Sequence, residues 1–140
     1  MEVIKKKVLD YWSQRADDFA QQRLREFYSG KHELWMEELK KHIPMDRKLR
    51  ILDIGTGTGF FAFLLAAEGH EVTGIDLTEN MIREARKLSQ KLQIPVDFLV
   101  MDAENPELEP ESFDVLVSRN LTWTLPHLGE AYQTWHKLLK

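Results

Sequence analysis

The chain contains no cysteine. This absence excludes disulfides, thiolate zinc sites, iron–sulfur clusters and cysteine nucleophiles, and it favours a cytoplasmic protein. Long apolar runs are also missing, since the longest, residues 60–67, is far shorter than the ~20 residues that span a membrane. The N-terminus lacks the apolar core of a signal peptide. We therefore expect neither secretion nor membrane insertion, and we predict no metal centre.

An excess of positive charge is absent as well. The formal net charge is −4, with +3 on residues 1–50 and −7 on residues 51–140. A nucleic-acid-binding protein would carry a strong basic excess on one surface. The short run Lys5–Lys7 has no second basic cluster beside it, so it is interpreted as a solvated helix face. We expect no nucleic-acid partner.

What is present is a chain of 140 residues, 43% of them hydrophobic, which is enough for one globular core. Before residue 49 the apolar residues recur at helical spacing, which predicts a helical lead-in over residues 1–48. From residue 49 onward, short apolar segments alternate with helical patterns, as in a parallel sheet built from βαβ units. We therefore predict an α/β core over residues 49–140. Its four predicted strands are Leu49–Ile54, Glu71–Ile75, Val96–Val100 and Phe113–Ser118.

A glycine-rich loop and three acidic residues mark the carboxyl ends of these strands, where parallel sheets bind ligands. Asp53 ends the first strand, Asp76 ends the second and Asp102 follows the third. Three carboxylates at one edge suit a ligand rich in hydroxyl and amino donors. Asp76 is placed to accept both hydroxyls of a ribose. The loop glycines that let a backbone approach such a ligand are Gly55, Gly57 and Gly59.

Two nucleotide classes compete for this site. A dinucleotide site normally has a third glycine three residues after the second, where this chain has Phe60. The acidic Asp53, two residues before the first glycine, would also face a pyrophosphate. A nicotinamide-dinucleotide domain is therefore the less favoured interpretation, and it stays open.

Four segments resemble, in order and spacing, motifs of the class I S-adenosylmethionine-dependent methyltransferases. The resemblance covers about residues 50–139 and is nearest to the small-molecule branch that includes quinone-biosynthesis methyltransferases. It implies S-adenosylmethionine as the cofactor and a Rossmann-like three-layer sandwich. The four segments are Leu52–Gly59, Gly74–Met81, Met101–Glu104 and Phe113–Ser118.

The resemblance also implies the cofactor contacts. Asp53 would lie at the amino group of the methionine part, Asp76 at the ribose hydroxyls and Asp102 at the adenine amine. Leu77 and Met81 would pack on the adenine. Arg119 would steer the methionine carboxylate or an acidic acceptor, with a surface ion pair as the alternative. The full set of implied contacts is Tyr11, Asp53, Gly55, Thr56, Gly57, Gly59, Asp76, Leu77, Met81, Asp102, Ala103 and Arg119.

Methyl transfer from a sulfonium needs alignment and a dry site more than it needs a catalytic triad. His127 is the candidate general base for an oxygen or nitrogen acceptor, and Trp123 is a candidate wall of the acceptor pocket. The other four histidines receive no role. Strand four lacks the Asn/Asp-Pro-Pro-aromatic signature of nucleic-acid amino-methyltransferases, which favours a small-molecule acceptor.

The chain stops where members of this family continue into a fifth strand. The resemblance therefore implies a truncated sheet with the order 3-2-1-4 and an apolar edge at strand four. Such edges invite pairing, so we predict a homo-oligomer formed through this edge. A catalytically incomplete module that only binds S-adenosylmethionine remains the alternative to an active methyltransferase.

Overall fold

The computed structural model describes residues 31–119 and 128–140. Four helices and four strands occur in these ranges, close to the predicted positions. The predictions made for residues 1–30, including Tyr11, and those for His127 and Trp123 lie outside them. The helices are α1 (Lys31–Lys40), α2 (Phe60–Ala67), α3 (Glu79–Leu92) and α4 (Leu128–Leu138). The strands are β1 (Arg50–Ile54), β2 (Glu71–Asp76), β3 (Asp97–Val100) and β4 (Val115–Ser118).

The strands form one parallel sheet in the order β3-β2-β1-β4, which confirms the predicted topology. The register brings Asp53 opposite Gly74 on β2 and Ile54 opposite Ser118 on β4. All four carboxyl ends therefore meet at one edge, because parallel strands share their direction.

Helices cover both faces of the sheet, so the fold is the expected three-layer α/β sandwich. On one face, α2 and α3 pack on the strands through a core that includes Ile51, Phe63 and Ile82. On the other face, α4 packs through Trp135 and Leu138. Fully burying an aliphatic or aromatic side chain of this size contributes roughly 1.5–3 kcal/mol, so the two cores hold the strand ends firmly in place.

Helix α1 joins the sandwich beside the start of α2. Its Met36 packs with Phe60, Phe61 and Leu64 of α2, and Trp35 lies against the same group. Because α2 begins directly after the glycine loop, this contact places α1 at the ligand edge of the sheet.

A buried histidine connects two chain segments at the amino-terminal ends of the strands, opposite the carboxyl edge. The Nδ1 atom of His70 accepts a hydrogen bond from the Leu49 backbone N–H at 3.1 Å, and its Nε2 lies 3.3 Å from the Met45 sulfur. His70 is 6% exposed. The sequence alone suggested no role for this residue, and the structure gives it a structural one.

Strand β4 pairs with β1 along one side. Two residues before β4, Phe113 forms an isolated parallel bridge with Leu139 that lies outside the four strands. The Lys140 backbone N–H donates to the Phe113 carbonyl at 2.9 Å. None of the described helices is both long and apolar enough to span a membrane.

Candidate functional site

The glycine loop connects β1 to α2 at the carboxyl edge of the sheet. Gly59, the residue before the first helical turn, has a φ of 95° in the left-handed region that glycine favours. A Cβ at this position would lie 2.7 Å from the ring of Phe98. Gly59 is thus required for close packing of the loop on β3, which is a different reason from the ligand approach that the sequence suggested.

Asp53 lies beneath this loop. Its carboxylate accepts a hydrogen bond from the Thr56 hydroxyl at 2.7 Å, and the Ala62 backbone N–H also bonds to it. Only 2% of Asp53 is exposed. This burial and the charge of Asp76 raise the pKa of Asp53 to about 7, against the lowering effect of its hydrogen bonds and of Arg119. Asp53 therefore lies under the loop and is not an open surface contact.

Asp76 connects the glycine loop with the end of β2. One carboxylate oxygen accepts from the Gly57 backbone N–H at 3.0 Å, and the other accepts from the Thr78 N–H at 2.9 Å. Burial raises the pKa of Asp76, and hydrogen bonds from the Thr78 and Gly57 backbone N–H groups and from the Thr78 side chain lower it. A carboxylate has about four acceptor sites, so Asp76 retains some capacity to accept a ligand hydroxyl.

Asp102 lies next to Asp76 because the Met101 backbone N–H donates to the Asp76 carbonyl at 2.9 Å. The Asp102 carboxylate accepts from the Glu104 N–H at 2.9 Å and shapes a turn. Between these two residues, the Ala103 carbonyl accepts from the buried indole N–H of Trp135 at 2.6 Å. Helix α4 thus holds the turn that carries Asp102.

The two apolar residues expected at the adenine differ in exposure. Leu77 is half-buried at the end of β2. Met81 is only 2% exposed in the first turn of α3, so its side chain belongs mainly to the packed interior. Thr78 occupies the N-cap position of α3, but its side chain makes no capping hydrogen bond, and the Asp76 carboxylate accepts from its backbone N–H instead.

Arg119 follows β4 directly and lies beside Gly55, since Ser118 pairs with Ile54. Its guanidinium carbon lies 4.5 Å from the ring centroid of Trp35, 5.1 Å from that of Phe60 and 5.4 Å from that of Phe61. The sequence suggested Arg119 but not Trp35, because the four-residue spacing of Trp35 and Leu39 predicts only a packed helix face.

The carboxyl edge thus combines a glycine loop, three carboxylates and one guanidinium on neighbouring strands. This is the arrangement of a nucleotide-binding α/β protein, and Phe60, buried among α1 and α2, occupies the position where a dinucleotide site normally has glycine. The model of the family described as "Methyltransferase domain" matches residues 51–140. The chain belongs to this family, the S-adenosylmethionine-dependent methyltransferases, and the resemblance seen in the sequence is confirmed.

Similar proteins agree with this assignment. The chain is 49% identical to a Geobacillus sp. (strain WCH70) protein assigned as a methyltransferase, over 76% of this chain and 51% of that protein. It is 33% identical to the ubiquinone/menaquinone biosynthesis C-methyltransferase UbiE of Cereibacter sphaeroides, over 74% of this chain and 45% of UbiE. The chain therefore spans about half the length of these relatives.

Two further matches show the range of the family. Phospholethanolamine N-methyltransferase 2 of Haemonchus contortus, solved with phosphomonomethylethanolamine and S-adenosylhomocysteine, is 36% identical. The TM-score is 0.68, and the match covers 73% of this chain and 24% of that one. An S-adenosyl-L-methionine-dependent Diels-Alderase of Talaromyces variabilis is 33% identical over 69% of this chain and 32% of that protein. A protein similar to this chain is thus named for a reaction other than methyl transfer.

Proposed function

We propose that this protein binds S-adenosylmethionine at the carboxyl edge of its sheet and transfers the methyl group to a small-molecule acceptor. The observation that carries the proposal is the position of Asp76, whose carboxylate links the glycine loop to β2 and keeps acceptor capacity for a ligand hydroxyl. A ribose offers two such hydroxyls. Family membership supports the choice of this cofactor over a dinucleotide.

The remaining proposed contacts are those that the family resemblance implies. Asp102 would accept from the adenine amine and Leu77 would pack on the adenine ring. Asp53 would provide negative charge under the methionine ammonium. The residues that we propose to line the cofactor site are Tyr11, Asp53, Gly55, Thr56, Gly57, Gly59, Asp76, Leu77, Met81, Asp102, Ala103 and Arg119.

When bound, the cofactor supplies a methyl group on a sulfonium that is already activated for in-line displacement. The protein has to hold the two reactants close and aligned and to exclude water. For an oxygen or nitrogen acceptor we propose His127 as the base that removes the proton. A small molecule is favoured as the acceptor because Ser118-Arg119-Asn120 replaces the signature of nucleic-acid amino-methyltransferases.

The test is calorimetric titration of the 140-residue chain with S-adenosylhomocysteine, with NAD as the competing ligand. We expect micromolar binding of S-adenosylhomocysteine and none of NAD. Asp76→Ala should weaken binding at least about tenfold, since a hydrogen bond to a charged group contributes about 1.5–3 kcal/mol. The matched control is Asp97→Ala, which removes an exposed carboxylate at the far end of β3. Binding of NAD alone would overturn the proposal.

Binding and transfer are separate steps of the proposal. Methylated product, detected by mass spectrometry in an acceptor screen, would distinguish an active methyltransferase from a module that only holds the cofactor. His127→Ala should then lower kcat for an oxygen or nitrogen acceptor and leave the affinity for S-adenosylhomocysteine unchanged.

We further propose self-association through the edge of β4, whose Val115, Leu116 and Val117 are half-buried. Light scattering at increasing protein concentration should show a dimer or larger species, and a monomer at every concentration would contradict this. The helical lead-in over residues 1–48, the α/β core over residues 49–140 and a cytoplasmic location stay proposals drawn from the sequence.

A further inference from the structure

Arg119 lies among aromatic side chains of α1 and α2. Three rings converge on its guanidinium, two from the start of α2 and one from α1, with centroid distances between 4.5 and 5.4 Å. An aromatic face attracts a cation through its quadrupole, and the attraction grows as water is excluded. The three rings, which we call the aromatic cage (Trp35, Phe60 and Phe61), therefore restrict where this cation can lie.

Stacking engages the flat side of a guanidinium, whereas its N–H groups lie in the plane in a fork that matches a carboxylate. A flexible arginine loses much conformational entropy when it binds an anion. A guanidinium that the cage already restricts loses less. The cage thus favours anion binding by Arg119 close to the carboxyl ends of β1 and β4.

The neighbouring charge indicates which anion fits. Asp53 is the penultimate residue of β1 and Arg119 follows β4, so a carboxyl and a guanidinium group belong to adjacent strands at one edge. An α-amino acid presents an ammonium and a carboxylate on a single carbon atom. Its zwitterion complements this pair of side chains, whereas a simple anion would complement only Arg119.

We propose that the aromatic cage positions Arg119 to bind the carboxylate of the cofactor's amino-acid part, an inference that rests on the proposed cofactor site. In this arrangement Trp35 is a positioning residue. Helix α1 would then be a component of the cofactor site, although Trp35 lies outside residues 51–140 that match the family. Trp35 acts through Arg119 and does not itself touch the cofactor.

The experiment compares two ligands that differ by one carboxylate. S-Adenosylhomocysteine and its decarboxylated analogue, 5′-deoxy-5′-(3-aminopropylthio)adenosine, are titrated into the 140-residue chain by calorimetry. The variants are Arg119→Gln, Trp35→Leu and the conservative Trp35→Phe. The matched controls are Arg83→Gln and Tyr132→Leu, which remove an exposed arginine and an exposed aromatic residue elsewhere.

Arg119→Gln should lower the affinity for S-adenosylhomocysteine about ten- to a hundredfold. In Arg119→Gln the affinity for the decarboxylated analogue should stay within about twofold of the wild-type value. This difference is small enough to be distinguished from the expected loss for S-adenosylhomocysteine. Trp35→Leu should lower the affinity for S-adenosylhomocysteine about three- to tenfold and leave the affinity for the analogue unchanged. Trp35→Phe should retain most of the wild-type affinity. The two controls should leave the ratio of the two affinities unchanged.

An equal loss for both ligands in Trp35→Leu would mean that Trp35 only stabilises the fold, and this would overturn the proposal. An unchanged affinity for S-adenosylhomocysteine in Arg119→Gln, with a raised KM for an acidic acceptor, would assign Arg119 to the acceptor instead. Both outcomes leave the proposed function intact. Failure of the wild-type chain to bind S-adenosylhomocysteine would overturn the proposed function itself.

Discussion

The Thr56 hydroxyl donates a hydrogen bond of 2.7 Å to the Asp53 carboxylate, and this contact connects the glycine loop to the end of β1. The space for it comes from β2, where Gly74 lies opposite Asp53. A Cβ at Gly74 would lie 2.7 Å from the Thr56 hydroxyl oxygen and 2.9 Å from the Phe98 ring. The missing side chain on the central strand is therefore part of the architecture of the site.

Gly74→Ala should destabilise the protein by about 1–3 kcal/mol, because overpacking a tight interior forces neighbours to shift. It should also weaken the binding of S-adenosylhomocysteine, since the glycine loop is displaced. Gly129→Ala on α4 is the matched control, because a Cβ there meets no atom within 4 Å. Urea unfolding and calorimetry measure both effects. Equal stability of Gly74→Ala and the wild type would show that the side chains of Thr56 and Phe98 shift at little cost in free energy.

Asp53→Asn should change how stability depends on pH. Burial, together with the charge of Asp76, raises the pKa of Asp53 from its ordinary value of 3.8 to about 7. Between these two values the folded protein binds a proton that the unfolded chain does not, so this group makes stability fall as pH rises. Asparagine has no proton to lose and keeps an oxygen for the Thr56 hydroxyl.

The free energy of unfolding of Asp53→Asn should therefore rise relative to the wild type as pH increases from about 4 to 7. The slope approaches about 1.4 kcal/mol per pH unit and levels off above pH 7. Urea unfolding at each pH measures the difference, in which the other groups largely cancel. Parallel curves for the two proteins would contradict the raised pKa.

The strand order and the row of carboxylates follow from patterns that are local in the sequence. Each strand is a short apolar run, and Asp53, Asp76 and Asp102 each stand next to a strand end, so parallel topology brings them together. The contact of Trp35 with Arg119 had no such local sign, because it joins a helix to a strand end far along the chain. Spacing alone shows that Trp35 faces something apolar and cannot show that a cation lies there.

His70 was missed for a related reason. A histidine at the start of a strand looks the same in sequence whether it is solvated or buried. Its role depends on the Leu49 backbone N–H, which donates to Nδ1 at 3.1 Å from another strand end. The first and last residues of a strand have backbone N–H groups without a partner in the sheet. Which side chain accepts from such a group depends on the fold, so the sequence alone does not show it.

His70→Ala should cost about 1–3 kcal/mol, because it leaves the Leu49 N–H buried without its acceptor. His136→Ala, at an exposed position on α4, should change stability by no more than about 0.5 kcal/mol. Hydrogen exchange of the Leu49 amide provides a local readout beside urea unfolding. Unchanged protection of that amide in His70→Ala would mean that another group replaces the imidazole.

Trp135→Phe should connect stability with ligand binding. The buried indole N–H of Trp135 donates to the Ala103 carbonyl at 2.6 Å, and Ala103 adjoins Asp102, the proposed adenine contact. Phenylalanine keeps most of the packing and removes the donor, so we expect a loss of about 1–3 kcal/mol and weaker binding of S-adenosylhomocysteine.

Tyr132→Phe on the same helix is the control, since it changes an exposed aromatic residue and should leave both quantities nearly constant. Adenosine, which contains only the ribose and the base, should lose the same factor in affinity as S-adenosylhomocysteine in Trp135→Phe, because the change acts at the adenine end. A loss confined to S-adenosylhomocysteine would place the effect at the methionine end and contradict the assignment of Asp102 to the adenine.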